Sequence, residues 1–364
     1  MNRRDFVKYG IVLAGAGGLG LSVLKLFDKP SPDNFQHNFL ALDKPCSFPF
    51  EFMEIHEEGK IYPCCPNFVD FKPMGNFYDQ DLFSIWNGKK FKELRNKLLK
   101  GDFSSCNRNI CCYNPAEYTK DFNAAKQLPI NIHLCYDQEC NYKCITCRDE
   151  IFTNSDEELA KLNNEILPKI LPFISKLDEI EFSGGDPLAS RHSRKLIYEV
   201  NKSNPNINIS INTQGYFLDE NNMKELGITK LYSVGMSIHS ATRKTYEKIM
   251  RQDSFDRIMK NLEFISGWKK QGKLENLRIH FVVHLMNYKE MPAFVKIAEK
   301  FDAIAYFWSY KPWESAEMHK RYKEVAVFEP WHKDYPKLKK MLKNPIFKSK
   351  HCILYPELLK IAEE

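Results

Sequence analysis

The sequence predicts an α/β protein whose main body is a parallel sheet, and two observations lead to this fold class. From about residue 129 onward, six short segments rich in β-branched and aromatic residues alternate with longer segments of helical periodicity. Strands that are joined in series by helices form parallel sheets, either barrel-like or doubly wound. At 364 residues, the chain is also long enough for this body and a second, smaller domain.

Residues 1–30 are predicted to be a twin-arginine-like signal or membrane tether. Two adjacent arginines precede an uncharged, glycine-rich apolar stretch, and no A-x-A-like cleavage site follows it. An uncleaved tether would make the protein membrane-associated or periplasmic, whereas the alternative, a short apolar helix packed on the body, fits a cytoplasmic protein. Gly15, Gly17 and Gly20 match the G-x-G-x-x-G pattern but lack the strand and crossover helix that a dinucleotide site requires.

The charge pattern argues against a nucleic-acid partner. The formal net charge is +6, and the lysines beyond the N-terminus alternate with glutamate and aspartate along helical segments. This pattern is typical of a solvated surface, and no basic tract shows the aromatic spacing of a nucleic-acid platform. We therefore expect no nucleic-acid partner.

A first group of cysteines lies in residues 46–115, after a linker rich in Pro, Asp and Asn. Cys46 and Cys64 flank Gly59, which allows a tight hairpin that brings the two thiols together. A helix-like segment, 81–101, then returns the chain to further cysteines. The odd total of 11 cysteines favours metal binding over a disulfide framework, with a zinc ribbon as one alternative. The thiols of this group are Cys46, Cys64, Cys65, Cys106, Cys111 and Cys112.

The loop after the first predicted strand of the main body carries a second group, Cys140, Cys144 and Cys147, with the spacing C-x3-C-x2-C. A structural zinc ion or an ordinary iron–sulfur cluster takes four protein ligands. Three ligands leave one corner of the metal centre open, which is typical of sites that do chemistry. Because reactive groups gather at the C-terminal ends of parallel strands, this loop is predicted to form the active site.

With this motif in this position, residues 129–310 resemble the radical S-adenosylmethionine (SAM) enzymes. The resemblance implies a partial (β/α)6 TIM-like barrel and a [4Fe–4S] cluster bound by Cys140, Cys144 and Cys147. The open iron would bind SAM, and an electron from a reductant such as flavodoxin or ferredoxin would cleave SAM to a 5′-deoxyadenosyl radical. That radical would abstract hydrogen from a substrate, which is a small molecule or a peptide.

The same resemblance implies that the turn after the second strand binds SAM. Gly184, Gly185, Asp186 and Pro187 match a Gly-Gly-Glu-Pro-like motif that holds the amino group of SAM, with Asp in place of Glu. The residues themselves give one reason, because two glycines let a backbone approach a ligand closely.

Weaker matches imply three further SAM-binding residues. Ser237 ends the fourth strand, where the family often has Ser-x-Asp, although His239 replaces the Asp here. Asn287 follows the fifth strand, where the family often has a polar residue near the ribose. Thr146 precedes the third cysteine, at a position that usually packs against the adenine.

Residues 46–115 resemble the SPASM or twitch auxiliary-cluster domain, including its Gly-Asn, Ile-Trp-Asn and Leu-Arg landmarks. Such a domain usually follows the barrel, whereas here it precedes it. The resemblance implies a second, auxiliary [4Fe–4S] cluster. The choices between Cys64 and Cys65 and between Cys111 and Cys112 stay open. The auxiliary ligands implied are Cys46, Cys64, Cys106 and Cys111.

The tail, 311–364, is predicted to be a helical C-terminal extension.

Two functions from other classes compete with a radical SAM enzyme. A two-cluster electron-transfer protein would need neither the Gly-Gly-Asp-Pro turn nor six β/α units. A zinc-binding interaction module would need a fourth ligand, which His133 or Cys135 could supply. Otherwise Cys135 and Cys352 are predicted to be small buried hydrophobic residues. The substrate is not specified, because auxiliary clusters accompany enzymes that modify peptides or proteins and enzymes that modify sugars.

Overall fold

The computed structural model of the protein describes residues 46–66, 72–106, 128–312 and 317–364. The predictions for residues 1–30 and for Cys111 and Cys112 lie outside these ranges. Within the described ranges, no helix is both long enough and apolar enough to cross a membrane.

The N-terminal segment begins with a short helix and a hairpin. Helix α1 (Phe48–Glu51) leads into strand β1 (Phe52–Ile55), which pairs antiparallel with β2 (Lys60–Tyr62). The turn between the two strands uses left-handed backbone at Glu58 and Gly59, with φ angles of 58° and 73°. Glycine adopts this conformation without steric cost, so the hairpin predicted at Gly59 is confirmed. The predicted approach of the Cys46 and Cys64 thiols stays a prediction.

A short strand and two helices complete this segment. Strand β3 (Gly75–Asn76) pairs antiparallel with β2. The single helix predicted at 81–101 is two helices, α2 (Leu82–Trp86) and α3 (Lys89–Leu99). The interruption lies at Gly88, whose extended backbone forms the N-cap of α3.

All six strands predicted from residue 129 are present, with helices between them. Neighbouring strands from the first to the sixth pair in parallel and follow one another in chain order. A doubly wound sheet reverses its strand order at a switch point, so this sequential order is that of a barrel. The elements are β4 (Asn131–Leu134), α4 (Asp156–Lys161), α5 (Leu167–Ile170), β5 (Glu179–Phe182), α6 (Arg191–Ser203), β6 (Asn208–Thr213), α7 (Glu220–Glu225), β7 (Leu231–Ser237), α8 (Arg243–Met250), α9 (Phe255–Lys270), β8 (Leu274–Val283), α10 (Met291–Lys300) and β9 (Ile304–Ser309).

The sheet continues beyond the six strands at both edges. Strand β1 pairs in parallel with β4, so the N-terminal segment and the barrel share one sheet. At the other edge β10 (Cys352–Leu354), which the sequence analysis did not predict, pairs in parallel with β9. The two end strands of this ten-stranded sheet, β3 and β10, do not pair with each other within the described ranges, so the barrel is partial. The C-terminal region is otherwise helical, as predicted, with α11 (Tyr322–Val325), α12 (Tyr335–Leu342) and α13 (Pro356–Glu363).

The two faces of the barrel strands differ in polarity. One face packs on the helices, as Phe281 of β8 shows by its contact with Phe294 of α10, whose ring centroid lies 4.9 Å away. Alternate residues on the opposite face are polar, and the Asn212 amide donates to the Glu181 carboxylate at 2.6 Å across this face. A polar concave face suits a ligand-binding interior better than a closed apolar core.

Candidate active site

The three cysteines of the C-x3-C-x2-C motif lie on one loop after β4. Cys140 and Cys144 are buried, whereas Cys147 is exposed. The Cys140 N–H donates to the carbonyl of Phe152 at 2.9 Å, and the Cys147 N–H donates to the carbonyl of Cys144 at 3.0 Å. These two bonds hold the beginning and the end of the motif, so the loop keeps its shape through its own backbone.

The two buried thiols of this loop, Cys140 and Cys144, sit in an environment that opposes their ionisation. Burial raises the pKa of Cys140 to about 11, and burial followed by the neighbouring Cys140 and Cys147 raises the pKa of Cys144 well above its usual value. Burial lowers the pKa of Arg148, but the nearby thiols outweigh it and keep the guanidinium charged. Since metal ligands are thiolates, a bound cation and Arg148 would together compensate the charge of the loop.

The Gly-Gly turn after β5 packs directly on the cysteine loop. Gly184 has a φ of +106°, and a Cβ there would lie 2.5 Å from the carbonyl oxygen of Asp137. A Cβ on Gly185 would lie 2.2 Å from the carbonyl oxygen of Glu139. The space that a side chain would fill at these glycines holds the backbone of the cysteine loop. The turn and the loop therefore form one unit. The close approach of this turn to a ligand stays a prediction.

Asp186 connects this unit to the next strand. Its carboxylate accepts from the Thr213 hydroxyl, with both O···O distances 2.9 Å, and from the N–H of Gln214 at 2.8 Å. Burial raises the pKa of Asp186, although these hydrogen bonds favour its ionised form. Pro187 is buried in the same turn. The carboxylate is thus engaged by β6 and its following residue, which positions the end of β5.

Asn287 links the ends of β7 and β8 by hydrogen bonds in a similar way. Its amide NH2 donates to the carbonyls of His239 and Val282, both at 2.8 Å, and its oxygen accepts from the N–H of His284 at 2.9 Å. His239, in place of the expected Asp, has a left-handed φ of 60°, and its Nδ1 accepts from the Val282 N–H at 3.1 Å. Burial lowers the pKa of His239 to about 4, so its ring is neutral.

The other predicted SAM-binding residues lie at the same edge of the sheet. Ser237 is the last residue of β7 and is half-buried. Thr146 is buried between Cys144 and Cys147. Sequence analysis missed Gln214, whose side-chain oxygen is buried without a hydrogen-bond partner, as far as the described residues show. Its only signal was its place directly after Thr213, at the end of a predicted strand. A buried acceptor without a partner fits a ligand that donates hydrogen bonds.

A cavity of about 1010 Å³ lies between the cysteine loop and the N-terminal hairpin. Cys147 and Gly184 line it from the barrel, and His56 and Tyr78 line it from the N-terminal segment. The two segments of the chain that carry cysteine groups therefore face one space, large enough for a small-molecule ligand.

A chain of hydrogen bonds lies at the wall of this cavity. His133 Nδ1 donates to Glu54 at 3.2 Å, and its Nε2 donates to the hydroxyl of Ser183 at 2.6 Å. The other carboxylate oxygen of Glu54 accepts from His56 at 2.7 Å. Burial opposes both charges, but Glu181 and Glu54 raise the pKa of His133 to about 9, and the two histidines lower the pKa of Glu54 to about 2. Glu54 and His133 therefore form an ion pair at neutral pH.

The cysteines of the N-terminal group are partly described. Cys46, Cys64 and Cys106 are each half-buried, and Cys65 lies close enough to Cys135 to contribute to its raised pKa. The fourth expected ligand, Cys111, lies outside the described ranges, so this ligand set stays a prediction. Cys135 and Cys352 are buried, as predicted.

Comparison with known proteins finds a matching family model over each of the two cysteine groups. The family model described as "Radical SAM superfamily" matches residues 138–290, and the SPASM model, an iron–sulfur cluster-binding domain, matches residues 46–113. The GTP 3′,8-cyclase of Chlorobaculum tepidum is 24% identical over 189 residues, which cover 51% of this chain and 55% of that protein. The molybdenum cofactor biosynthesis protein moc-5 of Caenorhabditis elegans is 24% identical over 185 residues, which cover 50% of this chain and 30% of that protein. The chain thus spans about half the length, or less, of these curated relatives.

Solved structures give more distant similarities. SuiB of Streptococcus suis bound to S-adenosylmethionine has a TM-score of 0.46 and 16% identity, over 79% of this chain and 66% of that one. Methylornithine synthase, PylB, has a TM-score of 0.38 and 10% identity, over 62% of this chain and 63% of that one. The two family matches fall on segments that one sheet joins, and they show that this chain carries a radical SAM superfamily domain, preceded by a SPASM iron–sulfur cluster-binding domain.

Proposed function

We propose that the protein is an enzyme that reductively cleaves SAM at a [4Fe–4S] cluster held by Cys140, Cys144 and Cys147, and uses the resulting radical on a substrate. The observation that carries this proposal is the backbone packing of the three-cysteine loop on the Gly-Gly turn, at the C-terminal edge of a sequentially wound parallel sheet. A two-cluster electron carrier has no use for that arrangement.

The residues present fit such a cluster and SAM. Three thiols on one loop leave one iron of a cubane open, and the partnerless oxygen of Gln214 can accept from the ammonium group of SAM. Asp186 and Asn287 act as positioning residues, because their side chains hold strand ends together. A cluster bound here would supply the electron that cleaves SAM. Thr146 and Ser237 are proposed to contact SAM at the same edge.

We also propose one auxiliary [4Fe–4S] cluster of the twitch type on Cys46, Cys64, Cys106 and Cys111. The N-terminal hairpin and the cysteine loop face the same cavity, which supports a substrate bound between the two cysteine groups. In that position an auxiliary cluster can accept an electron from the product radical or order the substrate. The substrate is a peptide, a protein or a sugar, and a flavodoxin or ferredoxin is the proposed reductant.

The radical chemistry is tested by incubating reconstituted protein anaerobically with SAM and dithionite and measuring 5′-deoxyadenosine. We expect Cys144→Ala to abolish its formation, because two thiolates rarely hold a cubane. Cys352→Ala, at a buried cysteine on the edge strand β10, is the matched control and should keep the wild-type yield. Full activity of the Cys144→Ala protein would end the proposal.

The auxiliary cluster is tested by counting iron. We expect about eight irons per chain in the wild type, and about four after replacement of all three barrel cysteines by Ala. The Cys46→Ala, Cys106→Ala double variant should also keep about four irons and still cleave SAM, but lose turnover of the true substrate. If the wild type instead holds about four irons and a zinc bound by sulfur alone, the N-terminal group is a structural zinc site.

A further inference from the structure

Three metal-binding groups of different chemistry meet where the N-terminal segment joins the barrel. Glu54 of β1, His133 of β4 and Cys135 directly after β4 each have one donor atom within 4.8 Å of the others. Across the described ranges, this is the one set of three or more such groups with that spacing. The parallel register of β1 and β4, which places Glu54 beside His133, brings the donors together. None of the three belongs to the ligand sets proposed for the two iron–sulfur clusters.

The hydrogen bonds around these donors already have the pattern of an outer metal shell. A histidine ligand normally donates its second N–H to a neighbour, and a carboxylate ligand normally accepts a further hydrogen bond. His133 has Nδ1 toward Glu54, and its Nε2 donates to Ser183 at 2.6 Å. The second oxygen of Glu54 accepts from His56 at 2.7 Å. Hydrogen bonds on the far sides of both side chains therefore hold His133 and Glu54 facing each other.

The donors of this site can balance the charge of a divalent cation. A Glu54 carboxylate and a Cys135 thiolate would supply two negative charges, and a neutral His133 would add a nitrogen donor. The thiol proton of Cys135, and any proton on His133 Nδ1, would leave to solvent as the ion binds.

We propose that Glu54, His133 and Cys135 bind one divalent metal ion of the zinc class, with a further coordination position open to the cavity. Zinc takes this mixture of sulfur, nitrogen and oxygen donors, and three protein ligands with one open position are typical of zinc sites that bind a substrate. Cys135, Ser183 and His56 all line the 1010 Å³ cavity, which provides the entry path and the open side. The ion would hold an electron-rich substrate atom beside the turn that follows β5. This inference does not depend on the proposed radical chemistry.

The test is the zinc content of full-length protein after anaerobic reconstitution, addition of one equivalent of Zn²⁺ and gel filtration. We expect about one zinc per chain in addition to the iron. Cys135→Ser and His133→Gln should each lose at least nine-tenths of the zinc while keeping the iron content of the wild type. Cys352→Ser, which changes a buried cysteine on the edge strand β10, should keep both metals.

Zinc-edge X-ray absorption of the wild type identifies the ligands directly, even if a variant loses iron because it folds poorly. We expect one sulfur at about 2.3 Å and two or three nitrogen or oxygen atoms at about 2.0–2.2 Å. Three or four sulfur ligands would place the zinc on another cysteine group and overturn the proposal. Failure of the wild type to retain zinc would also overturn it, because the site would then be a metal-free ion pair.

Discussion

Gly185 faces the cysteine loop so closely that its missing side chain is a structural requirement. A Cβ at this position would lie 2.2 Å from the Glu139 carbonyl oxygen, which belongs to backbone and cannot rotate away. We expect Gly185→Ala to displace the loop and to lower the barrel-bound iron and the 5′-deoxyadenosine yield at least tenfold. The measurements are iron content and anaerobic SAM cleavage.

The control for this substitution is Gly267→Ala. Gly267 lies inside α9, and a Cβ there would meet no atom within 4 Å. Alanine in a helix interior is more favourable than glycine by about 0.5–1 kcal/mol, so this variant should be slightly more stable and fully active. Wild-type iron content in Gly185→Ala would show that the loop tolerates a shift, and that the turn and loop are not one unit.

Arg95 is a second residue whose contacts restrict which side chains can replace it. Its Nε donates to the carbonyl of Pro49 at 2.7 Å and its Nη1 to the carbonyl of Trp86 at 2.9 Å, while the guanidinium stacks 4.2 Å from the Trp86 ring centroid. Lysine cannot make this fork, so Arg95→Lys should lower the free energy of unfolding by about 2 kcal/mol. Urea unfolding measures the change, with the exposed Lys92→Ala as a control expected within about 0.5 kcal/mol of the wild type. Equal stability of both variants would contradict the role assigned to Arg95.

Strands β7 and β8 and their following loops carry three buried histidines that give the fold a pH dependence. Burial lowers the pKa of His239 to about 4 and those of His280 and His284 to about 3. An unfolded histidine takes up a proton near pH 6.5. Because the folded pKa is depressed, the stability contribution is present above pH 6.5 and is lost as the pH falls toward 4.

We therefore expect each of these histidines to lower the free energy of unfolding by about 2 kcal/mol as the pH falls from 7 to 5. His133 acts in the opposite direction, because its raised pKa gives a contribution that is present below pH 6.5 and lost as the pH rises toward 9. Over the range from pH 7 to 5 this offsets less than about 1 kcal/mol. Urea midpoints measured at several pH values test the sum, and His284→Gln should flatten the slope by one histidine's share. An unchanged slope would mean that His284 is protonated in the folded protein.

The strands in the described ranges form one continuous sheet, and this makes the barrel dependent on the N-terminal segment. Strand β4 pairs with β1 along its full length, from Asn131 to Leu134. A chain that starts at residue 128 would expose this edge together with the apolar residues around it, and exposed edges promote association. We expect such a chain to elute as aggregates in gel filtration, whereas full-length protein prepared in parallel does not. A monomeric truncated protein that still cleaves SAM would show that β1 is dispensable.

The parts of this architecture that the sequence predicts are those with local signals. The six barrel strands follow from periodicity within short segments, and the cysteine loop follows from the spacing of Cys140, Cys144 and Cys147. Strand β10 has three residues, too few for a periodic pattern. The contact of Glu54 with His133 and Cys135 depends on the register of two strands that are distant in the chain, and no local pattern reports it. The sequence therefore offered His133 or Cys135 only as a possible fourth ligand for a zinc ion on the cysteine motif, and otherwise predicted Cys135 to be a small buried residue.

The pairing of β1 with β4 also sets an order of events during synthesis. The N-terminal hairpin leaves the ribosome first, yet its partner strand lies about eighty residues further along the chain. Until β4 has emerged, the nascent hairpin keeps an unpaired edge, because contacts between distant segments form late in folding. Cys46, Cys64 and Cys106 are thus translated before the strand that braces their segment exists. Slowing translation with synonymous codons just before position 131 should therefore lower the metal content of the finished protein without any change in its amino-acid sequence.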